Sequence, residues 1–437
     1  MRKVAFHTLG CKVNTYETDA MEQLLLQHGY EIVPFEEMAD VYVVNTCSVT
    51  NMADRKSRQM LHRAKKKNPD AVVVAVGCYV QAASEELQKD AGVNLVIGNN
   101  RKKELPQILD QYFAEQICAD VPEIGRERDY EELEISYVSD HTRAYMKVQD
   151  GCNQFCSYCI IPYVRGRVRS RQMEDVTEEA ARLAAQGTKE IVLTGIHLSS
   201  YGIDLEEGTT LLSLVQNVHE IEGIERIRLG SLEPRIVTEE FAAALSCLPK
   251  LCPHFHLSLQ SGCDATLKRM NRRYTTKEYL EGCEILRKHF PHAAITTDVI
   301  AGFPGETEEE FETTRRFLEQ VQFYEMHIFK YSRRKGTRAD RMDDQVPEPE
   351  KTKRSGILQE MERKMSRAFR ESFIGKEVTV LLEERIEKDG VFYMVGHTPE
   401  YVKAAVLSDA APNTLVTGAG IGLLEEDLLL LEEFHDR

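Results

Sequence analysis

The chain has 437 residues, 42% of them hydrophobic and 29% charged, and a formal net charge of -16. This length predicts about three domains, and this composition excludes a wholly disordered chain. A mean hydropathy of -0.38, with no apolar run of about 20 residues, excludes a helical membrane span.

The first ten residues are too polar for a signal peptide, so a cytoplasmic location without a membrane partner is expected. Net acidity gives no general sign of a nucleic-acid binder. The 11 cysteines, an odd number, favour metal-binding or catalytic thiols over a disulfide framework. Residues 4–9, 41–45 and 71–76 read as strands. Residues 15–28 and 54–68 read as amphipathic helices, the second ended by Pro69. This alternation predicts an α/β domain with a parallel sheet over residues 1–118. An acidic stretch falls in an expected linker, 119–137.

A second β/α series is expected over 138–373, with strands at 144–148, 190–194, 226–230, 255–259, 294–300 and 326–331. Six such units predict a partial (β/α)6 barrel rather than a closed eight-fold one. Residues 347–373 read as a strongly charged helix. Beyond Gly375, strands at 377–382, 391–395, 401–406 and 414–420 are separated by Asp389-Gly390 and Pro412-Asn413. They predict a small antiparallel β-barrel over 375–437.

Cys152, Cys156 and Cys159 form C-x3-C-x2-C directly after a predicted barrel strand. Three thiolates on one loop suit a [4Fe–4S] cube whose fourth iron stays open to a small molecule. Zinc is the competing reading, but a structural zinc site needs a fourth ligand, and His141 is the nearest spare donor. This cysteine spacing is the radical S-adenosylmethionine (radical-SAM) signature. Tyr158 stands where that superfamily puts an aromatic near the adenine. Thr194 and Gly195 end the second barrel strand, and Gly302, Pro304, Gly305 and Glu306 follow the fifth. Ser258 and Gln260 close the fourth, giving an expected cofactor-binding set at the carboxyl ends of the strands.

Cys11, Cys47 and Cys78 are far apart in sequence, yet each ends a predicted strand. One such cysteine alone reads as a small residue packed at a strand end. Three in the same slot, where parallel strands share a crevice, read as ligands of a second cube.

With these motifs the chain resembles the radical-SAM methylthiotransferase family over nearly its whole length, including residues 151–171 and a terminal module similar to a TRAM domain. The resemblance implies two [4Fe–4S] clusters and S-adenosylmethionine as cofactors, with Cys11, Cys47 and Cys78 as ligands of the second cluster. It implies that the central cluster generates a 5′-deoxyadenosyl radical and that a C–H is replaced by a methylthio group. An electron donor and a sulfur source are further implied partners. The segment 193–202 (LTGIHLSSYG) is similar to the branch that acts at C2 of N6-threonylcarbamoyladenosine in tRNA, beside the anticodon. The alternatives are isopentenyladenosine in tRNA and an aspartate of a ribosomal protein.

Cys118, Cys247, Cys252, Cys263 and Cys283 have no ligand partners at useful spacing and read as structural. His197 reads equally as a substrate contact or a structural hydrogen-bonding group. Basic islands break the net acidity. Lys65, Lys66 and Lys67 on the second helix, and Arg165, Arg167, Arg169 and Arg171 after the cluster loop, are the expected RNA contacts. Two further islands lie at 268–273 and 333–338. The terminal module, with five basic and thirteen acidic residues, is too acidic for a simple RNA-binding barrel and keeps the ribosomal-protein alternative in view.

Overall fold

The computed structural model describes residues 1–115, 121–138 and 142–434; Cys118 and His141 lie outside the described residues. In the amino-terminal region, β1 (Lys3–Thr8), β2 (Glu31–Ile32), β3 (Val41–Thr46), β4 (Val72–Gly77) and β5 (Leu95–Ile97) form a parallel sheet ordered β2-β1-β3-β4-β5. β3 and β4 are buried along their whole length, as Val-rich runs covered on both faces should be. Met21 and Leu25 of the helix Lys12–Gln27 pack on one face, and Leu61 and Ala64 of the helix Asn51–Lys67 pack on the other. The second helix starts three residues earlier than expected, because the Thr50 side chain caps it by accepting from the Ala53 N–H at 3.1 Å.

The central region builds β6 (Arg143–Asp150), β7 (Arg169–Ser170), β8 (Glu190–Gly195) and β9 (Arg226–Leu229) into one sheet. β10 (His254–His256), β11 (Ala294–Ala301) and β12 (Glu325–Lys330) form the next. Single parallel bridges, Ile227 to Leu251 and Leu232 to Leu257, join the two into an arc of six parallel strands. Only the two-residue β7 runs antiparallel in this arc among the described residues, and it lies outside the sequence expectation. The helix Glu348–Glu371 packs along β12 and leads to the terminal module.

That module is a closed barrel of β13 (Glu377–Lys388), β14 (Val391–His397), β15 (Lys403–Val406), β16 (Leu415–Glu425) and β17 (Leu428–Glu433). β17 was not expected and closes the barrel by pairing parallel to β15; the other pairs are antiparallel. The module docks on arginines at the starts of the central strands. Arg226 donates to the His397 and Thr379 carbonyls at 2.7 and 2.9 Å, Arg228 donates to the Pro399 carbonyl at 2.8 Å, and Arg143 pairs with Glu383. Part of the module's acidity thus faces basic protein rather than RNA.

Glu190, fully buried at the start of β8, accepts from Arg143 at 3.0 Å and from Arg228 at 2.9 Å. Burial alone would raise its pKa, but Arg228 and then Arg143 outweigh it and hold the carboxyl at about 2, against an ordinary 4.5. The depressed value means that the pairing stabilises the fold above pH 4.5 by about 3 kcal/mol. This stabilisation is lost as pH falls from 4.5 through about 2. Glu190→Gln should lose about 3–5 kcal/mol at neutral pH by stranding the arginines. Its deficit against the unaltered protein should narrow in acid unfolding curves below pH 4.5.

Candidate active site

Because β1, β3 and β4 are adjacent, with Thr8 opposite Asn45 and Thr46 opposite Gly77, the residues after them emerge side by side. Cys11 caps the helix Lys12–Gln27, Cys47 follows β3 directly, and Cys78 opens the short helix Cys78–Ala82. Glycine is required at two of these exits. Gly10 has φ +106°, and a Cβ there would lie 2.9 Å from that of Cys47. Gly77 has φ +94°, and a Cβ would lie 2.5 Å from the Thr46 carbonyl oxygen. Asn14 and Asn45 lock the loops: Asn14 donates to the carbonyls of Leu9 at 2.6 Å and Thr46 at 3.1 Å, and Asn45 donates to that of Asn14 at 2.9 Å. Burial, with smaller contributions from the neighbouring Cys78 and Cys11, pushes the Cys47 thiol up to about 11. The three thiols therefore share one electrostatic environment.

The second triplet lies on the loop after β6. Gly151, at φ +69°, makes the turn possible; a Cβ would sit 1.8 Å from the Arg167 carbonyl oxygen. The loop hangs on backbone bonds from Cys152 N–H to the Gly166 carbonyl at 3.0 Å and from Ser157 N–H to that of Met270 at 2.9 Å. Asn271 adds a bond to the Phe155 carbonyl at 3.0 Å. Burial raises Cys152 to about 11 and raises Cys159 still further. Arg272 donates to the Cys156 sulfur at 3.3 Å.

Among the described residues, no three His, Cys, Asp or Glu side chains are close enough together to enclose a single metal ion. A donor set of three thiols fits a [4Fe–4S] cube with one open iron better than a four-ligand structural zinc site. The charge around them agrees, since Arg272 aims a cation at Cys156 and all its hydrogen bonds go to groups other than carboxylates. An anionic iron–sulfur centre would balance it.

One cysteine of each triplet lines a common space. A cavity of about 410 Å³ between the amino-terminal sheet and the central barrel is lined by Cys11 on one side and Cys159 on the other. Tyr158, Gln260, Asp298, Ile300, Phe329 and Lys330 form much of the remaining wall, with Thr50 and Ser332 at the junction of the two regions.

A model described as Uncharacterized protein family UPF0004 matches residues 3–98, and the Radical SAM superfamily model matches residues 146–318. The threonylcarbamoyladenosine tRNA methylthiotransferase MtaB of Bacillus subtilis (strain 168) is 43% identical, over 92% of this chain and 90% of its own length. The chain belongs to the radical-SAM methylthiotransferase family. MtaB of Aquifex aeolicus (strain VF5) is 44% identical, over 87% of this chain and 93% of its own. The tRNA-2-methylthio-N(6)-dimethylallyladenosine synthase of Moorella thermoacetica is 38% identical, over 86% of each. Among solved structures, the radical S-adenosylmethionine methyltransferase TsrM of Kitasatospora setae superposes with a TM-score of 0.55 at 16% identity. The match covers 75% of this chain and 73% of that one, and it shows a shared fold.

The structure redistributes several residues of this methylthiotransferase. Arg165, Arg169 and Arg171 are at most 1% exposed and cannot be RNA contacts. Arg165 pairs with Glu17 and Asp150, Arg169 lies against Asp150, and Arg171 pairs with Glu179. Arg167 alone of the four is exposed. Lys65, Lys66 and Lys67 form the last turn of their helix, where cations complement the helix dipole. They lie roughly 22 Å along the axis from Asn51, the end next to the cavity, at 1.5 Å per residue. Lys65 is also engaged locally, donating to the Ala71 carbonyl at 2.9 Å.

Of the expected cofactor contacts, Tyr158 and Gln260 line the cavity. Gly302, Pro304, Gly305 and Glu306 form a turn that serves the protein itself. The Gly302 N–H donates to the Glu306 carboxylate at 2.8 Å, which also receives Arg354 at 2.8 Å, and Pro304 accepts from Arg269 at 3.3 Å. Both bonds fall on one carboxylate oxygen, Oε2, so Glu306 braces this turn against Arg354. Thr194 is buried at the end of β8, and Gly195 makes room for Gln149, which in turn holds the Gly151 carbonyl at 2.7 Å. The Ser258 carbonyl accepts Arg272 at 3.1 Å.

His197 Nδ1 bonds to the Ser200 hydroxyl at 2.7 Å and its backbone N–H donates to Gln149 at 2.7 Å, while Nε2 is buried without a partner. Burial and then Arg272 lower its pKa to about 4, so the ring is neutral at physiological pH. Sequence reasoning missed Asp298, Lys330, Phe329 and the pairing of Arg272 with Cys156. The position of Asp298 on a strand expected at 294–300 was the one available signal for it.

Proposed function

We propose that this enzyme methylthiolates C2 of N6-threonylcarbamoyladenosine in tRNA, beside the anticodon. Cys152, Cys156 and Cys159 would hold the [4Fe–4S] cluster that binds S-adenosylmethionine, and Cys11, Cys47 and Cys78 would hold the second. When bound, these groups supply the radical, the sulfur and the methyl. The observation that carries the reading is the single cavity with one cysteine of each set in opposite walls, which brings an adenine within reach of both centres at once. The protein's part is to hold that base and exclude water: Tyr158, Ile160, Ile161, Ile300 and Phe329 make the wall largely apolar. The full-length likeness to MtaB proteins favours threonylcarbamoyladenosine over the two alternative substrates. An electron donor and a sulfur source complete the reaction, and a tRNA substrate suits work in the cytoplasm. No helix among the described residues is long and apolar enough to cross a membrane.

RNA approaches from the side of the cavity where two exposed basic groups meet. Arg55 and Lys56 are exposed on the first turns of the helix Asn51–Lys67, and Arg333 and Lys335 are exposed beside Ser332. The two segments touch through the Asn51 N–H and the Ser332 hydroxyl, 3.1 Å apart. Close to Ile161, Tyr163 is 49% exposed and packs edge-on to Phe155, with Arg167 over the Phe155 ring at 4.7 Å. Aromatic and guanidinium planes of this kind receive unstacked loop bases.

Charge reversal at Arg55, Lys56, Arg333 and Lys335 should weaken tRNA binding and reduce its salt slope by about one for each phosphate no longer neutralised. Reversal at Lys65, Lys66 and Lys67 should change both little. Filter binding across a salt series decides between them; equal effects would sink this assignment of the RNA face. The decisive test of function is nucleoside mass spectrometry of tRNA from cells with and without the gene. Loss of the 2-methylthio form of threonylcarbamoyladenosine is expected, and its persistence would refute the reading.

A further inference from the structure

Two guanidinium groups each touch one thiol of a different cysteine set. Arg165 donates from Nε to Cys78 at 3.2 Å, and Arg272 donates from Nη1 to Cys156 at 3.3 Å. Their surroundings differ. Arg165 pairs with two carboxylates, Glu17 at 2.9 Å and Asp150 at 3.1 Å, both of which Lys147 also reaches. Arg272 is held by neutral groups: Nε donates to the Tyr274 hydroxyl at 2.9 Å and Nη2 to the Ser258 carbonyl at 3.1 Å. Its guanidinium also lies over the Tyr274 ring at 4.8 Å. These interactions fix the plane of the fork and leave Nη1 aimed at the sulfur. Arg272 thus makes no hydrogen bond to a carboxylate; Glu233 feels its charge only through space.

We propose that Arg272 is a positioning residue for electron uptake, whose N–H bond to the Cys156 sulfur makes the central iron–sulfur centre easier to reduce. The inference rests on the cluster assignment proposed above. A centre held by three thiolates gains one negative charge when it accepts an electron from an external reductant. A fixed cation donating a hydrogen bond to one of those sulfurs favours the more negative state and raises the reduction potential. Arg165 makes the same kind of bond to Cys78 but is itself salt-bridged to Glu17 and Asp150, whereas Arg272 hydrogen-bonds to no carboxylate, so the proposed bias is on the centre that must receive the electron for S-adenosylmethionine cleavage.

The test uses full-length protein with Cys11, Cys47 and Cys78 replaced by Ala, which isolates the central centre. Redox titration followed by electron paramagnetic resonance should show Arg272→Gln shifting the reduction equilibrium about tenfold against reduction, about 59 mV for a one-electron couple. The same substitution beside Cys152, Cys156 and Cys159 replaced by Ala should leave the amino-terminal centre unmoved. An unchanged potential at the central centre, or an equal shift at both, overturns the proposal.

If Arg272→Gln fails to retain iron, the chain with Arg272 intact decides. With arginine labelled by nitrogen-15, the reduced central centre should show hyperfine coupling to a guanidinium nitrogen, and absence of coupling overturns the proposal. Failure of the parent chain to bind any iron would instead refute the cluster assignment, and this inference with it.

Discussion

Alanine at Cys152, Cys156 and Cys159 should abolish S-adenosylmethionine cleavage, whereas alanine at Cys11, Cys47 and Cys78 should spare cleavage and end methylthio transfer. Anaerobically reconstituted protein should carry about eight irons per chain, four in each cluster, and either triple substitution should remove about half. The structure supports treating the triplets separately. The central loop is tethered by Gly166, Met270 and Asn271, and the amino-terminal cysteines are fixed by Asn14, Asn45 and their own strand ends. None of these tethers involves a cysteine of the other set. On the proposed assignment, radical generation would need only the side of the cavity that holds Cys159 and Tyr158, and sulfur would arrive from the side that holds Cys11. Iron analysis, 5′-deoxyadenosine assay and nucleoside analysis on the same preparations check each part. Saturation of the full-length protein at four irons, or loss of both activities from either folded variant, would remove the division of labour.

Most of the scaffold was legible because its signals are local. The six parallel strands of the central arc fall within a few residues of their expected positions, since each is a short apolar run followed by a helical pattern. The gathering of the amino-terminal cysteines was legible for a related reason: a parallel sheet brings its strand ends together, so Cys11, Cys47 and Cys78 could be grouped without knowing a single distance.

What was not legible depends on partners remote in sequence. The alternating arginines from Arg165 to Arg171 look solvent-facing until Glu17, Asp150 and Glu179 are placed around them. Glu17 lies 148 residues from Arg165. Nothing in the local pattern separates a buried ion network from an RNA-binding run. β17 was missed because Leu428–Glu433 is a run of leucines without alternation, and its place is set by pairing on both sides with β15 and β16. The packing of Lys351 on the turn at Gly302, where a Cβ would meet its Cγ at 2.4 Å, was likewise beyond the local pattern.

Arg165→Ala should destabilise the protein by about 3–5 kcal/mol and loosen the amino-terminal region from the barrel. Arg165 stands just beyond the central cysteine loop and reaches across the boundary, with all five of its N–H groups accepted. Nη1 serves Glu17 at 2.9 Å and Asp150 at 3.1 Å, Nη2 serves Asn14 at 2.6 Å and Glu17 at 3.1 Å, and Nε serves Cys78 at 3.2 Å. Lys147 reaches Glu17 at 3.0 Å and Lys102 reaches it at 3.3 Å, so this carboxylate is fully buried among three cations. Burial would raise the Glu17 pKa, but Arg165, Lys102 and Lys147 in that order hold it well below the usual 4.5. The direction sets the pH dependence. A depressed carboxyl stabilises the fold above its unfolded value and loses that contribution as pH falls. Removing Arg165 therefore does most harm above pH 4.5, and the gap between variant and parent should narrow in more acid solution. Limited proteolysis between residues 121 and 138 should accelerate with it, because Tyr130 and Glu131 pack against the same network through Lys147 and Lys102. Adding Glu17→Gln to Arg165→Ala should not recover the loss, since it also deprives the buried Lys102 and Lys147 of their shared carboxylate. A double variant markedly more stable than Arg165→Ala would show that Glu17, not the cations around it, is the charge left unpaired at this boundary.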